Sequence, residues 1–277
     1  MYTCCLCTVG QVVRTLPEGG QVLGVTSLGD EIYVLRGKEV EVYDVITYLL
    51  QRCLTVPDSC ELVDLTSCEH HRCVYIADGP IQRVHRLDVQ GDTKQWPVDD
   101  APQSLSVNAA HNVLLTCTEA CKIKEFSSHG NLLGEVTLCD DVVNPWHTME
   151  LITGQFIVCH SNFCADVDRV CKISADGCYV IHSHGGKPGS DADQYNQPFH
   201  LAVDNNGFVL VAEFGNRRVK LLSPTLNYVR EVVSPKTLKW GPDKLCFDAT
   251  RRRLYVADNE WRHDYALRAG RVVVFRV

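Results

Sequence analysis

PFHLAVDNNGFVLVAEFGNRRVKLLSP, Pro198 to Pro224, is the stretch whose reading decides the fold. After the proline, LAVD (Leu201 to Asp204) alternates apolar and polar residues. Asn205-Asn206-Gly207 supplies a turn, and VLVAE (Val209 to Glu213) is a short buried-type run ending in a small residue and an acid. Val219 then marks a further strand. Period-two alternation, β-branched residues and turn clusters a few residues apart are the signals of antiparallel hairpins.

The same succession recurs along the chain. The buried-type run reappears as EIYVLR (Glu31 to Arg36), CVYIAD (Cys73 to Asp78), VLLTCT (Val113 to Thr118), FIVCH (Phe156 to His160) and LYVAD (Leu254 to Asp258). The six copies are spaced 40 to 53 residues apart. Pro17, Pro57, Pro102, Pro145, Pro198 and Pro242 precede them at similar spacing, and an apolar third-strand residue follows each: Val40, Val84, Ile123, Val170, Val219, Val272. Units of about 40–45 residues with four strands each are propeller blades. The last unit stops after its third strand, and QVVRT (Gln11 to Thr15) supplies a fourth, so that no open edge is left. The chain thus reads as all-β: one six-bladed propeller over 1–277, with 1–9 as a loose cysteine-rich tail.

Composition narrows the function. The 277 residues are 45% hydrophobic and 22% charged, ordinary globular values that exclude a disordered or collagenous chain. No stretch approaches the length of a membrane span. Lys plus Arg number 27 against 34 Asp plus Glu, a net charge of −7, which argues against DNA and lowers the expectation for RNA. The start, MYTCCLCTVGQVV, lacks a basic residue and an unbroken apolar core. No secretory leader is expected, and the 15 cysteines read as reduced thiols of a cytoplasmic protein. Cys117 and Cys159 align with the alanines that end the second strands elsewhere and are expected as small core residues.

From Gly185 to Pro224 the chain resembles an NHL repeat: a Gly-rich lead, a proline, an apolar run ending in Asp, a Gly turn, a VAD-like run and N-x-R-V. GPDKLCFDATRRRLYVADNE, Gly241 to Glu260, matches again. By overall pattern the chain is similar to the C-terminal propellers of tripartite-motif NHL proteins. The resemblance implies recognition of a protein or RNA partner and no ubiquitin-ligase activity, which in that family belongs to a RING domain.

Candidate contact residues follow from the propeller layout, in which loops entering the innermost strands and loops joining second to third strands share one face. After the prolines come Glu18, Asp58, Gln103, Trp146-His147, Phe199-His200 and Asp243-Lys244. Aromatic groups with a polar handle are typical interface anchors. Glu213 and Arg217 join them from the VAE and N-x-R segments, although Asn216 and the arginines also suit an architectural role. The joining segments Ser161 to Asp168 and Asn259 to Gly270 are the longest; the second carries Asn259, Trp261, Arg262 and Tyr265 and is the expected seat of specificity. One metal candidate, CEHHRC with Cys68, His70, His71 and Cys73, is set aside for a solvated hairpin, because adjacent strand residues face opposite ways.

The expected function is therefore non-enzymatic recognition of a protein partner, without cofactor. Single-stranded RNA is the alternative, kept open by Arg217, Arg218 and Lys220. A metal-dependent hydrolase or lyase is the second alternative, with His147, His200, Asp243 and Glu213 as its candidate groups.

Overall fold

The computed structural model describes residues 9–162, 167–260 and 269–277, and among these there is no helix. Six antiparallel sheets radiate from a central axis. The innermost strands, in blade order, are Val22–Leu28, Leu62–Cys68, Ser104–Val107, Pro145–Glu150, Pro198–Val203 and Gly241–Asp248. The second strands are Glu31–Arg36, Cys73–Asp78, Val113–Cys117, Phe156–Asn162, Val209–Glu213 and Arg253–Asn259. Third strands begin at Glu39, Arg83, Lys122, Val167, Arg218 and Ala269.

The ring closes as the repeat count predicts. Gln11–Thr15 is the outermost strand of the sixth blade, pairing Gln11 with Arg276 and Thr15 with Val273. Gly19–Gly20 adds a second short contact to the same third strand, Gly19 opposite Gly270. The innermost strands of blades six and one lie side by side.

The core is divided into six apolar clusters, one in each gap between neighbouring blades. Second strands are packed on both faces, which is why their sequences run apolar without a break: Cys73–Asp78 and Val209–Glu213 are buried throughout. Outer strands alternate only weakly and face water, as Leu50–Thr55 shows. Each fully buried Val, Leu or Ile contributes roughly 1.5–3 kcal/mol, so the clusters tie blade to blade by area rather than by any one contact.

Two registers differ from the sequence reading. In blade three Ser104 pairs with Thr116 and Ile123 with Thr116, so Thr116 takes the alanine position. Cys117, buried as expected, stands instead in line with the acids Asp78, Glu213 and Asp258, opposite Lys122. Leu114, opposite Ser106, stands where Leu210 stands opposite Ala202, so aligning Leu115 with Leu210 displaces the count by one. Pro17 and Pro57 also sit further upstream of their innermost strands than the other four prolines do. They mark the connecting loop, not the strand start.

Candidate functional site

Five of the six innermost strands enter the ring through the same irregularity. Pairing skips one residue between Val22 and Gly24, Leu62 and Asp64, Pro145 and His147, Pro198 and His200, and Pro242 and Lys244. A bulge leaves an extra residue outside the ladder and re-aims its side chain. The skipped residues are Leu23, Val63, Trp146, Phe199 and Asp243, and Gln103 stands in the corresponding place before Ser104. Together they rim a funnel of about 710 Å³ at the mouth of the channel, with Phe214 in its wall and Lys244 in its floor.

The funnel is aromatic on one side. Trp146 and Phe199 meet at 4.8 Å between ring centroids, and Phe199 meets Phe214 at 5.5 Å. Leu23 and Val63 make the opposite wall apolar, while Gln103, Glu61 and Asp243 supply polar groups. Trp146 and Phe199 are the aromatic groups that the sequence offers as anchors. They pack on each other and still line the cavity.

Directly below the rim lies a second ring, one residue per blade: Gly24, Asp64, Ser104, His147, His200 and Lys244. Its side chains satisfy backbone groups on the open inner edges of neighbouring strands. The Leu105 N–H donates to Asp64 Oδ2 at 2.8 Å, and His147 Nε2 donates to the Leu105 carbonyl at 3.2 Å. The Leu245 N–H donates to His200 Nδ1 at 3.4 Å. Lys244 Nζ lies 3.1 Å from Asp64 Oδ1, and His200 Nε2 is 3.9 Å from Asp64 Oδ2. Gly24 carries no side chain because the next blade is too close: a Cβ there would lie 2.7 Å from the Leu65 nitrogen.

Burial works to raise the Asp64 pKa, but the Lys244 ammonium, with the His200 contact, overcomes it and holds the carboxyl well below its usual range. The pKa values of His147 and His200 are lowered too, which for an imidazole favours the neutral form. Burial, and for His147 the neighbouring imidazole, lowers both pKa values and keeps the rings neutral.

Asp64, His147 and His200 bring ligand-type atoms within 4.8 Å of one another, the one such group among the described residues. Their geometry does not suit a metal. The two imidazoles are stacked, centroids 3.7 Å apart and planes 27° apart. A nitrogen–metal bond lies in the ring plane, so an ion shared by two stacked rings would sit out of the plane of both. The carboxylate is also already neutralised by Lys244. The trio is an edge-capping network.

Several candidates have architectural places. Glu213 is fully buried and accepts from the Asn196 N–H at 3.0 Å, from Arg218 Nε at 2.5 Å and from Asn216 Nδ2. It is therefore no partner contact; a bare acid inside a blade needs these donors. Asn259 is equally buried. Its amide donates to the Val22 carbonyl at 2.7 Å and to Asp243 at 2.9 Å and accepts from the Val22 N–H at 2.9 Å, latching blade six to blade one. Lys220, counted above toward a phosphate-binding surface, is buried and donates to the carbonyls of Asp191, Ala192 and Gln194, so it is not available to RNA. Arg217 is exposed, at positive φ, with its guanidinium 3.4 Å from the Pro235 carbonyl.

The segment Ser161 to Asp168 is less loop than expected: Ser161 pairs with Asp168 and Asn162 with Val167, extending the strands. Trp261, Arg262 and Tyr265 lie outside the described residues. Cys68 and Cys73 face each other across the hairpin as buried residues, and His70 stacks on His111 of the next blade at 4.2 Å. The four residues do not converge as ligands.

Asp64, Ser104 and Phe214 were missed. Counting down from Pro57 lands on Asp58, in the loop. Counting across the ladder from Ala77, the small residue already recognised, lands on Asp64.

No family model matches the sequence, and no curated protein matches it. Solved structures do. A chain of hydrazine synthase from Kuenenia stuttgartiensis aligns with a TM-score of 0.65 at 12% identity, covering 93% of this chain and 96% of that one. The propeller domain of Cps50 (Swd1) from Myceliophteria thermophila gives 0.65 at 12%, covering 97% and 99%. Streptogramin B lyase gives 0.63 at 11%, covering 96% of each. At such identities the likeness is one of fold alone, and the fold is shared by chains of different function. The protein is a six-bladed β-propeller of four-stranded antiparallel blades.

Proposed function

We propose that the protein is a non-enzymatic recognition propeller that receives a segment of a protein partner in the funnel at its channel mouth. The observation that carries this reading is the rim itself. All six blades contribute one residue to it, and the bulges turn Trp146, Phe199, Leu23 and Val63 into a half-open cavity instead of a sealed core. Large aromatic and apolar surface at a concave mouth, with a few fixed polar groups, is how interface hot spots are built. The resemblance to NHL propellers points the same way. The stacked and ion-paired state of His147, His200 and Asp64 weighs against a metal-dependent lyase or hydrolase. All eleven described cysteines are free, three of them exposed, which suits the reducing cytoplasm.

The test is selection of a random-peptide phage library on the folded protein, followed by fluorescence anisotropy on the best binder. Trp146→Ala and Phe199→Ala each weaken that binder about ten-fold or more if the funnel holds it. A binder indifferent to both substitutions would place recognition elsewhere. Hydrolysis or elimination of any added peptide or lactone, abolished by His147→Ala, would show an enzyme.

A further inference from the structure

We infer that the occupant of the funnel is a basic segment, one whose lysine or arginine side chain enters the mouth while its neighbours lie over the blades beside it. This rests on the reading of the funnel as a protein-binding site and adds the chemistry of the partner.

The distribution of charge carries the inference. On the mouth face, blades two to four present the connections 56–61, 79–82, 98–103, 118–121 and 138–144. These hold seven carboxylates and neither a lysine nor an arginine. Asp99 and Asp100 are engaged by the buried ammonium of Lys124. Asp58, Glu61, Glu119, Asp140 and Asp141 are exposed and form no salt bridge among the described residues. Glu61 stands in the funnel wall itself, so the acidic sector runs into the cavity.

The cavity complements the same chemistry. The indole of Trp146 and the rings of Phe199 and Phe214 offer π surface to a desolvated cation, and Asp243, Glu61 and Glu260 offer it counter-charge beside two lysines, Lys244, which is ion-paired with Asp64, and Lys38, which donates to the Ser59 carbonyl. The aliphatic stem of Lys or Arg suits the apolar wall formed by Leu23 and Val63. A phosphate backbone meets repulsion over the same blades, which separates a basic peptide from RNA on this face.

The experiment uses the full chain and three peptide pools of equal length: one with Lys and Arg fixed at alternate positions, one with Asp and Glu, one uncharged and apolar. A poly-uridine oligonucleotide is a fourth probe. Anisotropy is read at about 50 mM and about 200 mM NaCl, over which screening of surface charge increases. Asp58→Asn/Glu61→Gln/Glu119→Gln changes only exposed side chains, and Trp146→Ala opens the funnel. The basic pool is expected to bind best. The triple variant should weaken it about ten-fold at the lower salt and less at the higher, and Trp146→Ala should weaken it at both. Preferential binding of the apolar or acidic pool, sensitive to Trp146→Ala but not to the triple variant, would overturn the basic-partner inference and leave the peptide-binding reading standing. Binding by none of the peptide pools, or by poly-uridine alone, would overturn both.

Discussion

Removing the Asp64 carboxylate should be the most damaging single change on the axis. In Asp64→Ala the Lys244 ammonium, about nine-tenths buried, loses the carboxylate 3.1 Å away, and the Leu105 N–H loses its acceptor at 2.8 Å. Breaking a buried ion pair from one side costs about 3–5 kcal/mol, because the remaining charge stays desolvated. In urea, at a slope of about 3 kcal/mol per M, the unfolding midpoint should fall by about 1–1.7 M with the slope unchanged. Asp64→Asn, which keeps the shape and an acceptor for Leu105, isolates the charge. Asp64→Ala with Lys244→Met removes both charges and should recover at least half of the loss. Tryptophan fluorescence and far-ultraviolet circular dichroism follow the transition. A midpoint shift below about 0.3 M, or a double variant no more stable than Asp64→Ala, would refute the claim that this pair holds the ring together.

Gly24→Ala should destabilise by about 1–3 kcal/mol, since its methyl group would press on the Leu65 nitrogen of the next blade; calorimetry would register it as a lowered Tm. Stability should fall as pH drops below about 6.5, the range where unfolded histidine takes up a proton. The pKa values of His147 and His200 are lowered in the fold, so the unfolded chain binds more protons there. Each contributes a slope of up to about 1.4 kcal/mol per pH unit, and His147→Asn/His200→Asn should flatten the urea midpoint across this window. Asp64, with its lowered pKa, adds a second loss below about pH 4. Iodoacetamide should label the exposed Cys53, Cys60 and Cys178 in the native protein, read by mass spectrometry. Cys117, Cys159 and Cys171, buried with thiols pushed up to about 12, should label only on unfolding.

The sequence by itself determined the architecture. A local pattern of apolar runs and turns, repeated six times, is enough to define blades, since each blade's strands pair with their sequence neighbours and each second strand must be buried on both faces. The completion of the sixth blade by Gln11–Thr15 followed from the same count, because an unpaired edge would remain otherwise. His147, His200 and Lys244 were legible as axial residues where a proline stands two positions before them.

Tertiary structure alone decided what those residues do. The network of Asp64, His147, His200 and Lys244 assembles side chains from four blades, and no spacing along the chain encodes a distance around a ring. The bulges that lift Trp146 and Phe199 into the funnel are likewise one-residue events, invisible to a period-two pattern except as a slip in register. Glu213 and Asn259 show the complementary error. Both look exposed and polar in sequence, yet each is buried because donors from distant loops or the first blade meet it. A buried polar group is retained when its partners converge, and that convergence is a property of the closed ring rather than of any segment.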